Sequence, residues 1–209
     1  MTTPTSNPAD PETARSRAKS DRRGQLIAAA ERLIAERGYL AVRLEDIGAA
    51  AGISGPAIYR HFPNKEALLV ELLVGVSARL HAGGSAVVAD TDDPAEALAR
   101  LVEFHLDFAF DESNLIRIQD RDLNNLPDAA KRQVRRSQRQ YVEIWVDTLR
   151  KLDPTRTEAD ARVMAHAAFG LLNSTPHSVR ATKAAPKPDD ASRAVLRSMT
   201  LAALLPDNR

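Results

Sequence analysis

The sequence has no cysteine, few aromatic residues and almost no net charge. Without cysteine there can be no disulfide framework, thiolate metal site or thiol nucleophile, which suits a reducing cytoplasm. Aromatic residues make up 4% of the chain, and no β-branched run is long enough to predict a strand. Alanine, leucine and arginine are abundant instead, so the composition predicts an all-α fold.

The chain also lacks the long apolar runs that membranes require. No stretch approaches about 20 consecutive apolar residues, and the segment after Met1 is polar, without the apolar core of a signal peptide. We therefore expect a cytoplasmic protein with no membrane partner. A net charge of +1 does not indicate a polyanionic partner, so evidence for one must come from local clusters of charge.

Signatures of catalysis are equally scarce. There is no glycine-rich phosphate loop and no nucleophile elbow. The histidines, at positions 61, 81, 105, 166 and 177, are scattered rather than paired at metal-ligand spacing. We expect no enzyme activity, no catalytic residue, no metal and no cofactor.

Proline and charge patterns divide the chain. Residues 1–20 contain Pro4, Pro8 and Pro11 and no apolar period, so they predict a disordered basic tail. The basic end of this tail suits either a solubilising flank or an arm that lies on phosphates. Residues 21–66 are expected to form a small helical domain and residues 67–209 a larger one, with about nine helices in all.

The small domain has the pattern of a helix-turn-helix. Apolar residues at helical spacing predict a first helix over 21–37, capped by Gly38. A short second helix from Leu44 ends at Gly52, and a third begins after Ser54 with Pro56 in its first turn. Two short helices joined by a glycine-containing turn are typical of helix-turn-helix motifs, although many helical bundles also contain such pairs.

The exposed side chains of the third helix favour a DNA-contacting role. Tyr59, Arg60 and His61 offer hydrogen-bonding groups, and the small residues Gly55 and Ala57 permit close approach to a groove. The segment also resembles the N-terminal signature of the tetracycline-repressor (TetR) family. The resemblance covers about residues 22–72 and rests on Gly38-Tyr39 and on the run from Leu44 to Leu69, LEDIGAAAGISGPAIYRHFPNKEALL.

This resemblance implies a recognition helix over 54–61, with Tyr59 on the DNA backbone and Lys65 holding a phosphate. Family members usually carry Thr or Ser where this chain has Val42 and Arg43, so we expect Arg43 to bind phosphate but not to cap its helix. The residues expected to contact DNA are Arg22, Arg43, Ser54, Gly55, Pro56, Ala57, Tyr59, Arg60, His61 and Lys65.

The resemblance also implies a C-terminal domain, residues 67–209, that binds a ligand and dimerises through its last two helices. Small residues in the first of these helices permit close approach: Ala161, Ala165, Ala168 and Gly170. The final helix offers Ala194, Val195, Met199, Ala202 and Leu205. A homodimer suits a pseudo-palindromic operator in double-stranded DNA, because one short helix reads too few bases.

Large side chains between residues 94 and 180 suggest a ligand pocket. The candidates are Phe104, His105, Phe108, Arg121, Trp145, Phe169 and Asn173. Apolar stripes of this kind also form ordinary cores, His105 also suits a hydrogen-bonded core histidine, and Arg121 also suits a salt-bridged surface. A basic face, residues 131–139, suits either solvent or the mouth of a pocket for an anionic effector such as an acyl-coenzyme A.

The function expected from these patterns is a transcriptional regulator, specifically a repressor. A small apolar or amphipathic effector, such as an acyl-CoA-like molecule, is expected to release it from DNA. The alternative is a DNA-binding regulator controlled by a protein partner or lacking an effector.

Overall fold

The computed structural model describes the backbone of residues 11–178 and 190–205. Within these ranges the only regular structure is helical, which confirms the predicted all-α class. The helices are α1 (Pro11–Arg37), α2 (Leu44–Ala50), α3 (Gly55–Ile58), α4 (Lys65–Ala89), α5 (Pro94–Asp111), α6 (Ser113–Asp122), a 3₁₀ turn (Leu123–Asn125), α7 (Asp128–Leu152), α8 (Glu158–Ser178) and α9 (Asp190–Leu204).

Helix α1 begins earlier than the sequence patterns suggested. The expected tail, residues 1–20, is wrong at its C-terminal end, because the helix starts at Pro11; residues 1–10 lie outside the described part of the chain. Proline is well tolerated in a first helical turn, and the residues after it are rich in Ala, Arg and Lys, which favour helix even without an apolar face.

The chain divides into two compact units between Leu68 and Leu69, two residues beyond the boundary expected from the sequence. In the first unit α2 packs against α1 and α3. Its apolar residues are buried at helical spacing, among them Leu26, Ile34, Ile47, Ile58 and Phe62. Burial of these side chains fixes the positions of the two short helices.

The second unit is built around α5, α7, α8 and α9, which pack against one another, while α6 packs on α5 and α8. Its core contains Trp145, Leu101, Leu149 and Ala165, all fully buried. The predicted helices at 94–112, 128–151 and 157–180 correspond to α5, α7 and α8.

Helix α4 continues through Gly83 and Gly84, where the sequence predicted a break. These glycines allow other helices to approach. A Cβ atom on Gly84 would lie 2.6 Å from Cε2 of Tyr141, and one on Gly83 would overlap the ring of Phe104. Close packing therefore outweighs the weak helix propensity of glycine.

By length and composition α4 is also apolar enough to cross a membrane, a test that core helices of soluble proteins pass as well. Its apolar side is buried within the protein at Leu69, Leu72, Leu73 and Val76. The absence of a membrane partner stays a prediction.

Candidate DNA-binding surface and ligand cavity

Helices α2 and α3 meet at a turn that depends on two glycines. Gly52 has a φ of 67°, a conformation that other residues rarely adopt. Gly48 faces α3, where a Cβ atom would lie 3.3 Å from the carbonyl oxygen of Ile53 and 3.5 Å from Cβ of Ile58. The predicted helix-turn-helix is therefore present, and its two helices are in close contact.

The recognition helix is shorter than predicted. Only Gly55–Ile58 is α-helical, and tighter turns continue to His61. In these turns the Arg60 N–H donates to the Ala57 carbonyl (3.2 Å) and the His61 N–H donates to the Ile58 carbonyl (2.9 Å). Bonds of this i to i+3 type form a 3₁₀-like end to the helix, and Pro63 lies two residues beyond it.

Residues 54–61, which we call the recognition segment, expose most of their outer surface to solvent. Ser54, Pro56, Tyr59 and Arg60 are exposed, and Gly55, Ala57 and His61 are half-buried. Ser54 occupies the N-cap position without a side-chain capping bond, and Arg60 makes no side-chain hydrogen bond to a described residue. The segment thus presents a phenol and a free guanidinium to solvent.

The Tyr59 hydroxyl is not free in this structure, because it donates a hydrogen bond to the Glu45 carboxylate of α2. The bond raises the pKa of the Tyr59 phenol and lowers the pKa of the Glu45 carboxyl. Tyr59 is 49% exposed, so a phosphate could reach the hydroxyl only by replacing a carboxylate that already accepts its proton.

Lys65, expected to hold a phosphate, already has partners within the first unit. Its ammonium donates to the carbonyl oxygens of Tyr39 (2.6 Å) and Val42 (2.7 Å) and lies 4.3 Å above the Tyr39 ring. Lys65 therefore anchors the segment that precedes α2. A phosphate contact by its remaining N–H stays a prediction.

The start of α2 at Leu44 is stabilised without a hydroxyl cap. Arg43 is the N-cap, and its backbone N–H donates to Oδ2 of Asp46 at 2.9 Å. Asp46 thus supplies one half of a capping box, which leaves the exposed Arg43 side chain available. Arg22 is also exposed and donates to Oε1 of Gln25 at 2.9 Å.

Arg23 has a structural role that the sequence did not reveal. Its guanidinium donates to the carbonyl oxygen of His61 at 2.7 Å and lies 4.2 Å from the centre of the Phe62 ring. It therefore ties α1 to the end of the recognition segment. Spacing could not have predicted this contact, because the donor and acceptor are 38 residues apart.

The second unit encloses a cavity of about 260 Å³ lined by α4–α8, which we call the aromatic cavity. Four of the predicted ligand residues line it: His105, Phe108, Phe169 and Asn173. The remaining lining residues are Ser77, Leu80, Ile116, Gln119, Asp120, Gln138, Tyr141, Val142 and His166.

Three predicted ligand residues do not line this cavity. Trp145 is fully buried behind the wall, with its ring 4.9 Å from that of Phe169. Phe104 lines a separate cavity of about 250 Å³, and Arg121 is exposed and paired with Asp122 at 2.9 Å. Helical periodicity placed these residues on the correct helices but could not give their depth.

His105 lies at the centre of a buried hydrogen-bonded chain. Its Nε2 is 3.1 Å from Oδ1 of Asn173, which can only accept, so Nε2 carries the proton. Its Nδ1 then accepts from the Tyr141 hydroxyl at 3.2 Å. Burial lowers the pKa of His105 to about 4 and raises the pKa of Tyr141, so both groups stay neutral near neutral pH.

His105 should make the protein less stable as pH falls. The unfolded chain binds a proton at this residue below about pH 6.5, whereas the folded chain does not until about pH 4. The contribution of neutral His105 is complete above the unfolded pKa and is lost as pH falls through this window. Between about pH 7 and pH 5 the loss is about 2 kcal/mol in the free energy of unfolding.

Urea unfolding of the wild type and of His105→Gln at the two pH values measures this effect. Glutamine does not titrate but keeps a donor and an acceptor, so the variant should lose about 2 kcal/mol less than the wild type. Equal losses in the two proteins would show that His105 is not held neutral by burial.

Helices α8 and α9 expose an apolar face. Val163 is 68% exposed, Val195 56% and Met199 52%. Ala194, Ala202, Leu205 and Gly170 are exposed too, as expected for a docking face. The expectation was wrong for Ala161, Ala165 and Ala168, which are buried against their own subunit; Val163, Ala167 and Gly170 form the exposed stripe of α8 instead.

Comparison with known proteins agrees with this architecture. Residues 26–72 match the family described as bacterial regulatory proteins, tetR family, and residues 91–177 match a tetracyclin repressor-like C-terminal domain. The transcriptional regulator CymR of Pseudomonas putida is 32% identical over 142 residues, which cover 66% of this chain and 70% of CymR. The chain therefore belongs to the tetR family.

Other similarities are shorter in sequence or more distant. The transcriptional activator FasR of Mycolicibacterium smegmatis is 33% identical over 100 residues, 48% of this chain. This chain thus matches less than half of the length of FasR, 46%. The solved structure of the ketosteroid transcriptional regulator KstR2 of Mycobacterium tuberculosis has a TM-score of 0.73 and 25% identity, covering 89% of this chain and 96% of that one.

Proposed function

We propose that this protein is a DNA-binding transcriptional regulator that acts as a homodimer on a pseudo-palindromic operator and is released by a small effector. The observation that carries the proposal is the exposed recognition segment, in which Arg60 is unpaired and Tyr59 is accessible. Its N-terminal residues are the ones that reach base edges when such a helix enters the major groove.

The basic residues around this segment support contact with the DNA backbone. Arg22 and Arg43 have exposed side chains, and neither is neutralised by an ion pair among the described residues. Each cation that meets a phosphate releases a counterion, so affinity should fall steeply as salt rises. Arg43 thus offers a positively charged side chain at a position where family members usually carry a hydroxyl group.

The exposed apolar face of α8 and α9 supports dimerisation. Large apolar side chains such as Val163, Val195 and Met199 stabilise a subunit only when a partner covers them. A two-fold dimer places two recognition segments on one side of DNA, where each can occupy one half-site about 34–36 Å from the other.

The effector is a small apolar or amphipathic molecule that enters the aromatic cavity. It lowers DNA affinity only if it favours a conformation in which the two recognition segments are wrongly spaced. For an acyl-CoA, the cavity of about 260 Å³ is of a size for the acyl part. The arginines of the basic face, Arg132, Arg135, Arg136 and Arg139, are exposed on α7, and none of them lines the cavity. At about 100° per residue Arg135 lies about 60° around the helix from Gln138, whereas the other three lie about 100° to 160° away, so of these arginines only Arg135 is on the cavity side of α7.

The alternative function, a regulator controlled by a protein partner or lacking an effector, predicts a closed core. The aromatic cavity favours an effector instead, because a void of this size in a packed domain costs stability unless it is used. We propose repression as the sign of regulation, and a reporter gene behind the operator tests it.

Arg60→Ala tests the DNA-binding role. The variant should bind an operator recovered from genomic fragments at least about tenfold more weakly, with the salt slope lower by about one if Arg60 meets a phosphate and with relaxed specificity if it reads a base. The fold should be unaffected, because the side chain is exposed and unpaired.

Arg150→Ala is the matched control, since Arg150 is an exposed arginine on α7 in the second unit. This variant should bind the operator with the same affinity as the wild type. Absence of DNA binding by the wild type, or an Arg60 variant that binds like the control, would refute the proposal.

A further inference from the structure

The charges around the aromatic cavity restrict what can enter it. Among the described residues that line it, Asp120 is the only acid, none is a lysine or arginine, and the two histidines are His105 and His166. Asp120 makes no ion pair with another described residue, and it is exposed. An anionic group in the cavity would therefore face a carboxylate and would meet no lysine or arginine among the described lining residues.

The hydrogen bonds of His105 determine which polar groups remain for a ligand. Oδ1 of Asn173 accepts from His105, so the Asn173 amide nitrogen keeps two N–H donors that no described residue uses. The Tyr141 hydroxyl donates to His105, and its oxygen faces the Trp145 side chain, which partly offsets the rise in the Tyr141 pKa that burial causes. Asn173 and Tyr141 flank the His105 ring on opposite sides, and Asn173 offers the cavity a hydrogen-bond donor.

The walls favour a ring. Phe108, Tyr141 and Phe169 line the cavity, and the rings of Tyr141 and Phe169 are stacked at 5.6 Å between centroids. Leu80, Ile116 and Val142 complete an apolar lining. Aromatic rings pack well against a flat apolar ligand, and the few polar groups set its orientation.

We propose that the aromatic cavity binds an uncharged ring compound with a hydroxyl or carbonyl oxygen, which accepts a hydrogen bond from the Asn173 amide. This inference narrows the effector of the proposed function to neutral molecules and excludes free carboxylates.

Three probes of the same size test the charge preference. They are para-tert-butylbenzyl alcohol, para-tert-butylbenzylamine and para-tert-butylbenzoate, which are neutral, cationic and anionic near neutral pH. The alcohol should bind most tightly, and the benzoate at least about tenfold more weakly. The amine gains little from Asp120, because that carboxylate is exposed and water screens the ion pair. Calorimetry measures the affinities, and the only tryptophan of the chain, Trp145, gives an independent fluorescence signal because it packs on Phe169.

Two variants test the assigned contact. Asn173→Ala should weaken binding of the alcohol by about fivefold to tenfold, since one hydrogen bond is lost. Asn124→Ala removes an exposed amide outside the cavity and should bind like the wild type. Circular dichroism and thermal unfolding confirm that both variants fold before their affinities are compared.

Tighter binding of the benzoate or of the amine than of the alcohol would overturn the proposal, as would an Asn173 variant with unchanged affinity for the alcohol. Failure of all three probes to bind would overturn it too. These outcomes are separate from the proposed function, because they are measured without DNA. A wild type that binds the alcohol but never binds DNA would refute the proposed function alone.

Discussion

Val195→Asp is expected to leave each subunit folded and to abolish both dimerisation and specific operator binding. Val195 is 56% exposed on α9, so the substitution removes no core packing. In a two-fold interface every residue occurs twice, so the change buries two carboxylates without partners. Such placement costs several kcal/mol, which should weaken the dimer more than about 100-fold. Sedimentation velocity and DNA binding, measured on the same samples, test this.

Ala129→Asp is the control for added charge. Ala129 is exposed in the first turn of α7, where an acidic residue is tolerated by the helix dipole, so this variant should remain dimeric and bind DNA. Ala168 is unsuitable for such a test, because it is buried and a charge there would unfold the subunit. If the Val195 variant sediments as a monomer but still binds the operator tightly, the dimer is not required.

Gly84→Ala should destabilise the second unit, although alanine is the better helix former. The added methyl group would lie 2.6 Å from Cε2 and 2.9 Å from Cδ2 of Tyr141, so the ring must move. Overpacking of this kind costs about 1–3 kcal/mol, more than the gain of about 1 kcal/mol in helix propensity. The melting temperature should fall, and the displaced Tyr141 should weaken binding of the benzyl alcohol probe.

Gly75→Ala provides a matched control on the same helix. A Cβ atom there meets only the Nη1 atom of Arg79, at 3.7 Å, so the variant should gain about 0.5–1 kcal/mol and melt at a higher temperature. If the two variants change stability in the same direction, close packing at Gly84 is not what determines the course of α4.

Sequence reasoning succeeded where the information is local. The turn between α2 and α3 depends on Gly52, on Pro56 and on apolar residues a few positions apart, so the helix-turn-helix and the all-α class could be predicted. The length of α3 could not, because its last turn mixes i to i+3 bonds with one i to i+4 bond, from the Phe62 N–H to the Ile58 carbonyl, and propensity does not distinguish such a turn from α-helix.

The sequence-based predictions were wrong where a contact joins residues far apart in the chain. Gly83-Gly84 resembled a helix break in the sequence. The side chains that need these glycines belong to α5 and α7, far away in the chain, so the sequence could not show that the glycines serve close packing. The small residues of α8 permit close approach, but only the packed core shows that Ala161, Ala165 and Ala168 face their own subunit. Trp145 was placed on the right helix at the wrong depth for the same reason.

The anchor at Lys65 bears on how the protein tolerates sequence change. Its ammonium binds main-chain oxygens of Tyr39 and Val42, and every residue type provides such an oxygen. The anchor therefore does not depend on the side chain at position 42, which is a buried valine in the core of the first unit. Both hydrogen bonds come from the same ammonium group, so a substitution of Lys65 removes the whole anchor at once.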